Sequence, residues 1–256
     1  MASEERSGIE DARTAAGQSL SALLLSTNEN TLRALIENPS LDETHLLMLL
    51  DRKDLPGTLL DEIAKRKSWR RNYHIRRALA GHPHTPRLVA IRLLRELHLM
   101  DLVRLSLLPS SPPELRRLAE ERVLAQLPQL PVGQRIVLAR RASSRVACEL
   151  IAMGPARVTK IALTNVYLTE SQLLKTLAEE GLAAQTVGAI ANHEKWSQLV
   201  NIRIALLRHP HSPVERILSF LPGLRLRDLE DLLKLSRLPG GLRDQLSREL
   251  ACRGKQ

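Results

Sequence analysis

Short stretches with apolar residues at helical spacing alternate along the chain with breaks that contain proline. In one such stretch Leu88, Ile91 and Leu94 share a stripe, while Arg92 and Arg95 lie on the opposite side. A spacing of three and four residues is typical of an amphipathic α-helix. The pattern therefore predicts a series of short helices.

The breaks carry residue types that begin helices. Thr85 stands directly before Pro86, and Ser212 stands before Pro213 in the same way. A hydroxyl residue there is suited to act as the N-cap, and proline is tolerated at the first helical position because the N–H that it lacks has no helical partner. Many short helices joined by tight proline turns favour a stack of helical hairpins over a bundle of a few long helices.

The chain matches itself when segment 75–86 is aligned with segment 202–213. In this repeat register Trp69 falls on Trp196, although the chain has only two tryptophans. Such self-similarity indicates a tandem duplication. The match is poor over residues 1–40 and their counterparts, so the boundary between the copies, near residue 127, is approximate.

The breaks also carry a resemblance to a known class of repeat proteins. Segments 34–39 (Ala-Leu-Ile-Glu-Asn-Pro) and 78–83 (Ala-Leu-Ala-Gly-His-Pro) each precede a Leu-rich helix. They resemble the breaks of HEAT-like and leucine-rich-repeat-variant α-solenoids, over most of residues 28–250. The resemblance implies an all-α, right-handed α-solenoid of stacked short helical hairpins. It implies no cofactor, because the sequence has no match to the N-terminal cysteine cluster that some leucine-rich-repeat-variant proteins carry.

We predict three parts within one continuous solenoid. Residues 1–15 form an acidic and partly disordered N-terminus, residues 16–127 form the first helical-repeat unit, and residues 128–256 form the second. This division follows the repeat and the composition of each segment.

Composition supports a helical, soluble chain. The chain is 43% hydrophobic but only 2% aromatic, and helices favour its abundant Leu, Ala, Arg and Glu. Cys148 and Cys252 are too few and too far apart for a disulfide framework or a cysteine zinc cage. The polar N-terminus and the absence of an apolar run of about 20 residues predict a cytoplasmic protein without a membrane span.

Charge is distributed unevenly. The net charge is +10 overall, and it divides into −7 for residues 1–64, +13 for residues 65–148 and +4 for residues 149–256. An acidic head followed by a basic middle predicts an acidic partner for the basic part.

The densest basic segment, residues 65–77, has the aromatic residues Trp69 and Tyr73 interleaved with its cations. Helical spacing predicts that four of its side chains share one face, where guanidinium groups suit phosphate or carboxylate. Those four are Lys67, Arg70, Arg71 and His74. The second copy lacks the cluster, so the fold does not need it. The alternative is a solvated face in a chain where 30 of 38 cations are Arg. The predicted partner- or phosphate-binding residues are Lys65, Lys67, Arg70, Arg71, His74, Arg76, Arg77, Arg140 and Arg141.

Two repeated features permit either a chemical or a structural role. The His-Pro-His turns at 82–84 and 209–211 offer imidazoles to a metal, but two ligands fall short of a zinc site. Capping of carbonyl groups of the preceding helix is the structural alternative. Trp69 and Trp196 suit stacking on a ligand or, at their helical spacing, packing in the core.

Catalytic motifs are missing from the sequence: it has no Gly-rich phosphate loop, no nucleophile elbow and no His-Glu-x-x-His. We therefore expect a non-enzymatic scaffold that binds an acidic macromolecular partner, most simply a protein. Sequence-independent binding of duplex DNA or structured RNA is the alternative. A third reading, a HEAT-like alkylpurine DNA glycosylase, lacks its Trp-x-x-x-Asp pattern, because Tyr73 follows Trp69 and Val200 follows Trp196 at that spacing. We expect no catalytic, cofactor-binding or metal-binding residues.

Overall fold

The computed structural model describes residues 2–179, 181–234 and 242–253, with the side chains of residues 2–7, 217, 232, 242 and 253 left aside. Within these residues all regular structure is helical, with nineteen α-helices, three short 3-10 helices and no strand. The predicted all-α class is therefore confirmed for the described residues. The chain divides into two compact units, Met1–Val123 and Leu124–Gln256, close to the boundary near residue 127 that the repeat predicts.

The first unit consists of short helices, and the last of them ends just inside the second unit. They are α1 (Ala2–Thr14), α2 (Gln18–Leu23), α3 (Glu29–Glu37), α4 (Glu43–Asp51), α5 (Gly57–Lys65), α6 (Lys67–Arg70), α7 (Tyr73–Gly81), α8 (Arg87–Leu94), α9 (Leu99–Leu107) and α10 (Pro113–Gln126). Helix α1 packs against α3 and α3 against α5, while α4 packs against α7 and α7 against α8. Helix α1 occupies the segment for which the polar composition predicts partial disorder, and it buries Ala12.

The second unit repeats this series. Its helices are α11 (Val132–Arg141), α12 (Ser144–Met153), α13 (Ala156–Ala162), α14 (Glu170–Leu177), α15 (Ala184–Ala191), α16 (Val200–Arg208), α17 (Val214–Leu218), α18 (Leu226–Leu233) and α19 (Leu242–Arg253), with 3-10 helices at Leu127–Gln129, Trp196–Gln198 and Leu221–Gly223. Helix α11 packs against α13 and α13 against α15, whereas α12 packs against α14, α14 against α16 and α16 against α18. Several helices of the unit thus pack on the helix two places along the chain.

The same hydrogen bonds occur within each unit, at positions that are equivalent in the repeat register of the sequence. In the first unit the Asn38 side chain donates to the carbonyl oxygens of Ala12 and Ala15 at 2.9 and 2.8 Å. In the second unit Asn165 donates to the two equivalent carbonyl oxygens at 2.8 and 3.0 Å. These contacts lie in the first third of each copy, where the sequences match poorly, so the structure extends the duplication into that part.

The His-Pro-His turns have a structural role, but the carbonyl groups that they bind are not those of the preceding helix, which the structural alternative predicts. His82 Nε2 donates to Arg52 O at 2.6 Å, and His84 Nδ1 donates to Leu55 O at 3.0 Å. The turn at 209–211 makes the equivalent contacts at 3.4 and 2.9 Å. The acceptors of the first turn lie about 30 residues earlier, at the C-cap of α4 and in the loop that follows it, and those of the second turn are at the equivalent positions, so these turns connect successive hairpins.

The hydroxyl residues before proline do not act as predicted. Pro86, not Thr85, is the N-cap of α8, and the Thr85 hydroxyl donates instead to Leu79 O at 2.7 Å. Ser212 donates to Leu206 O at 2.6 Å in the same manner. The predicted N-cap role is wrong because each buried hydroxyl satisfies a carbonyl of the preceding helix rather than an N–H of the next.

The two tryptophans differ in burial. Trp196 is 1% exposed, and its indole N–H donates to Leu163 O at 2.8 Å. In the first unit the equivalent carbonyl, Ile36 O, accepts from Arg66 Nη1 at 2.7 Å, while Trp69 is half-buried. The packing role is confirmed for Trp196. In the first unit Arg66, not the tryptophan, donates the equivalent hydrogen bond.

Candidate partner-binding surface

The basic segment 65–77 does not form one helix. Asn72 has an extended backbone (φ −78°, ψ 120°), and its side chain accepts from the N–H groups of His74 and Ile75 at 2.9 and 3.3 Å. It therefore caps α7 and separates it from the four-residue helix α6. The prediction of one shared helical face is consequently wrong for Lys67, Arg70, Arg71 and His74.

Three of the predicted cations form ion pairs within the first unit. Lys65 Nζ lies 2.5 Å from Asp61 Oδ2, Arg76 pairs with Glu96, and Arg77 Nη1 lies 3.6 Å from Asp101 Oδ1. The Arg76 guanidinium also lies 5.7 Å from the centre of the Tyr73 ring. These cations already have anionic partners, so they contribute less to an external site.

Asp101 is the centre of one of these networks. Its carboxylate, 11% exposed, accepts a hydrogen bond from Tyr73 Oη at 2.5 Å and lies 3.5 Å from Arg104. The Tyr73 ring stacks on His98 at 4.0 Å between centroids. Burial, together with the bond to Asp101, raises the pKa of Tyr73, so the phenol stays protonated and donates. Tyr73 and Arg77 therefore connect α7 to α9 through Asp101.

The other four predicted binding residues of the segment have exposed side chains. Lys67, Arg70 and Arg71 lie on α6 and its C-terminal cap, and His74 lies in the first turn of α7. Among the described residues none of these four side chains makes an ion pair or a hydrogen bond. They remain available to an anionic partner.

Two further arginines belong with them. The sequence pattern predicts both on the polar side of a helix, opposite a stripe that includes Leu88, but Leu88 is 79% exposed on the same side as the arginines, so the prediction is wrong for Leu88. Arg92 and Arg95, at the end of α8, are exposed and have no ionic partner within the described part of the chain. The pair between Arg76 and Glu96 joins the end of α8 to the first turn of α7, which α6 directly precedes. We call the resulting group the α6–α8 basic surface. It consists of Lys67, Arg70, Arg71, Arg92 and Arg95.

The second unit replaces every cation of this surface. In the repeat register the equivalent positions hold one acidic residue, three neutral polar residues and one proline. They are Glu194, Ser197, Gln198, Ser219 and Pro222. Since the second unit has equivalent helices, the fold does not require these charges. A simple excess of arginine in the composition does not explain their restriction to one copy.

Arg140 and Arg141 lie in the second unit, in the last turn of α11. Both are exposed, and neither pairs with an acidic side chain that the structure describes. Cations in a last turn also complement the partial negative charge at a helix C-terminus. Their role in partner binding stays a prediction.

The described residues offer little other chemistry. They contain no group of three or more His, Cys, Asp or Glu side chains placed to hold a metal ion. Burial raises the pKa of Cys148 to about 11, so its thiol stays protonated near neutral pH. None of the described helices combines the length and apolar character that crossing a membrane needs.

Searches with models of known families, against curated proteins and against solved structures find no match to this chain.

Proposed function

We propose that this protein is a non-enzymatic helical-repeat scaffold that binds an acidic protein partner through the α6–α8 basic surface. One observation carries the proposal: five exposed cations gather at one end of the α7–α8 hairpin, and the second copy of the fold has none of them. Exposed cations near one another create a positive potential that attracts and orients an acidic partner.

The proposal includes a right-handed, HEAT-like α-solenoid. In its support, both units consist of short helices, and in each unit a helix packs on the helix two or three places along the chain. Repeat proteins of this kind work mainly as binding surfaces. A cytoplasmic location is part of the proposal, and the two free cysteines suit a reducing compartment.

The exposed stripe of α8 favours a protein partner over nucleic acid. Leu88, Arg92 and Arg95 follow one another at spacings of four and three residues, and Leu88 is 79% exposed. An apolar side chain beside two guanidinium groups gains from contact with a protein surface, whereas a phosphate chain offers it nothing. A nucleic-acid interface would use the cations alone.

The test uses a variant that carries residues of the second copy. The fold accepts these residues at the equivalent positions, so the variant removes charge without introducing foreign side chains. It combines Lys67→Glu, Arg70→Ser, Arg71→Gln and Arg92→Ser. We expect the affinity for a fluorescein-labelled hexaglutamate peptide, measured by anisotropy at 50 mM salt, to fall at least about tenfold.

A control variant removes the same amount of charge from exposed positions outside the surface. It combines Lys53→Glu, Arg117→Gln, Lys175→Gln and Lys234→Gln. We expect its affinity to stay within about threefold of the wild type, because none of these four side chains belongs to the surface that binds the peptide. An equal loss in both variants would show that net charge, not the surface, attracts the peptide, and would reject the proposal.

A 20-base-pair DNA duplex in the same assay tests the nucleic-acid alternative. Five phosphate contacts predict a loss of about 500-fold in affinity between 50 and 200 mM salt. Tighter binding of the duplex than of the peptide, with this salt dependence and with its loss in the first variant, would overturn the acidic-protein assignment.

A further inference from the structure

The second unit contains an open groove of about 450 Å³ between α13 and α15. Its walls include Lys160, Gln185 and three small residues, Ala156, Gly188 and Ala189. No acidic side chain lines the groove within the described residues. The groove therefore has one cation and two amides beside space that small residues leave open. The second amide, Asn192, already donates to Gly188 O at 2.9 Å, so Gln185 is the amide that offers a donor.

In the first unit the equivalent space is occupied by carboxylates. Arg33 on α3 contacts two glutamates, with Nη2 2.8 Å from Glu29 Oε1 and Nε 3.2 Å from Glu62 Oε1. The Thr58 hydroxyl donates to the same Glu29 oxygen at 2.7 Å. A cation and a neutral donor together thus hold the carboxylates that bridge α3 and α5.

At these positions the second copy keeps the cation and the donor but has lost the carboxylates. The cation and the donor persist, since Lys160 is equivalent to Arg33 and Gln185 to Thr58. Both carboxylates are lost, because Ala156 replaces Glu29 and Ala189 replaces Glu62. A third acid of the first unit, Asp61, is replaced by Gly188.

The Lys160 ammonium is consequently left without a carboxylate partner among the described residues. His193, which also lines the groove, does not add to its charge near neutral pH, because burial lowers the pKa of this imidazole. Lys160 is therefore the charged group that the groove presents.

We propose that the α13–α15 groove binds glutamate or aspartate side chains of an acidic peptide, with Lys160 pairing with the carboxylate and Gln185 donating a hydrogen bond to it. The first unit shows the geometry in its own side chains, where Arg33 and Thr58 do the same for Glu29. The site goes beyond the proposed function, because it lies on the second unit and does not depend on the α6–α8 basic surface.

The test fills the groove from within. In the variant Ala156→Glu/Ala189→Glu the introduced carboxylates pair with Lys160 and repel a bound acidic side chain. The matched control, Ala156→Gln/Ala189→Gln, adds the same volume without charge. The first unit has glutamates at both equivalent positions, so the fold accommodates side chains of this size.

The measurement is a ¹⁵N–¹H NMR titration of the full chain with unlabelled hexaglutamate. The background is the Lys67→Glu/Arg70→Ser/Arg71→Gln/Arg92→Ser variant, so that peptide binding at the first unit does not contribute. We expect saturable shifts at the Gly188 backbone amide and the Gln185 side-chain amide. The bound carboxylate makes two weak contacts, one with the Lys160 ammonium and one with the Gln185 amide. We therefore expect the glutamate variant to lose at least about fivefold in affinity for the peptide and the glutamine control to stay within about twofold of the background.

Three outcomes would overturn the site. They are a titration without shifts at Gly188 and Gln185, equal affinities of the glutamate and glutamine variants, and larger shifts with hexathymidylate than with hexaglutamate. The last would assign the groove to phosphate. Because the background already lacks four of the five cations of the α6–α8 basic surface, failure here leaves the proposed function untouched, and failure of the earlier assay leaves this site untouched.

Discussion

Asparagine and histidine perform the same task in the turns of the first unit. Asn38 accepts the N–H of Ser40 at 2.7 Å and donates to an earlier carbonyl. His82 accepts the N–H of His84 on Nδ1 at 3.2 Å and donates from Nε2 to an earlier carbonyl. Each needs one acceptor and one donor. The imidazole meets this requirement only when it is neutral, with its proton on Nε2.

This requirement predicts a stability that depends on pH. Burial lowers the pKa of His82 below the 6.5 of an unfolded histidine. The hydrogen bond to Arg52 O and the charge of Asp54 oppose this shift, whereas nearby Lys53 acts in the same direction as burial. Between the two pKa values the unfolded chain binds a proton that the folded chain does not, so stability falls as the pH drops below about 6.5. One such group contributes at most about 1.4 kcal/mol per pH unit. Urea unfolding between pH 7.5 and 5 measures the slope.

The control for this prediction is His82→Asn, which supplies an acceptor and a donor, as Asn38 does, but cannot titrate. We expect its unfolding free energy to decline less steeply below pH 6.5 than that of the wild type. Other titrating groups, including His193, contribute equally to both proteins. Identical slopes would mean that His82 is protonated in the folded state as readily as in the unfolded one.

Some of these residue roles are predictable from the sequence and others are not. A histidine next to proline in a break between helices is placed to bind a carbonyl, and the structure confirms this, although the carbonyl lies about 30 residues earlier and not in the preceding helix. The exchange of Trp196 for Arg66 as donor to equivalent carbonyls is not predictable. It depends on which side chain reaches one particular carbonyl, and periodicity carries no information on that distance.

Among the elements, the break between α6 and α7 shows where helical periodicity fails. The helical spacing of the basic residues continues on both sides of Asn72, so the pattern predicts one continuous helix with one basic face. The side chain of Asn72 competes with that continuation by accepting the first free N–H groups of α7. Because of this cap, α6 and α7 are separate helices. The cations on α6 therefore lie at the same end of the α7–α8 hairpin as Arg92 and Arg95.

We predict that Asn72→Ala lowers the free energy of unfolding by about 1 kcal/mol, because the variant loses the side-chain acceptor at the N-terminus of α7. Asn72→Asp keeps an acceptor of the same length and adds a negative charge where the helix favours one, so we expect it to match the wild type within about 0.5 kcal/mol. Urea unfolding at pH 7 compares the three proteins. Equal losses in the two variants would show that the amide group has another role.

For the whole molecule, the sequence predicts the all-α class and the duplication, because both follow from repeated local patterns. It does not show which charges are neutralised. Arg77 and Arg71 are indistinguishable in the basic segment, yet Arg77 pairs with Asp101 on another helix, and Arg71 is exposed. Similarly, the groove beside Lys160 becomes visible only when α13 and α15 are brought together. Pairing across helices depends on packing, so the candidate site was predictable as a segment but not as a surface.

If the α6–α8 basic surface is kept for binding, it should not contribute to stability. Its five cations lie at the same end of the α7–α8 hairpin without acidic partners among the described residues, and like charges repel, so replacing four of them with second-copy residues relieves repulsion. We expect the urea midpoint of this variant to equal or exceed that of the wild type at 20 mM salt, with any gain disappearing at 500 mM as the charges are screened.

As a contrast, Arg77→Ala removes a partner of Asp101 and should lower the midpoint at both salt concentrations. A lower midpoint in the four-residue variant would mean that these cations support the fold of the first unit, and a structural role would then explain why they differ from the second copy.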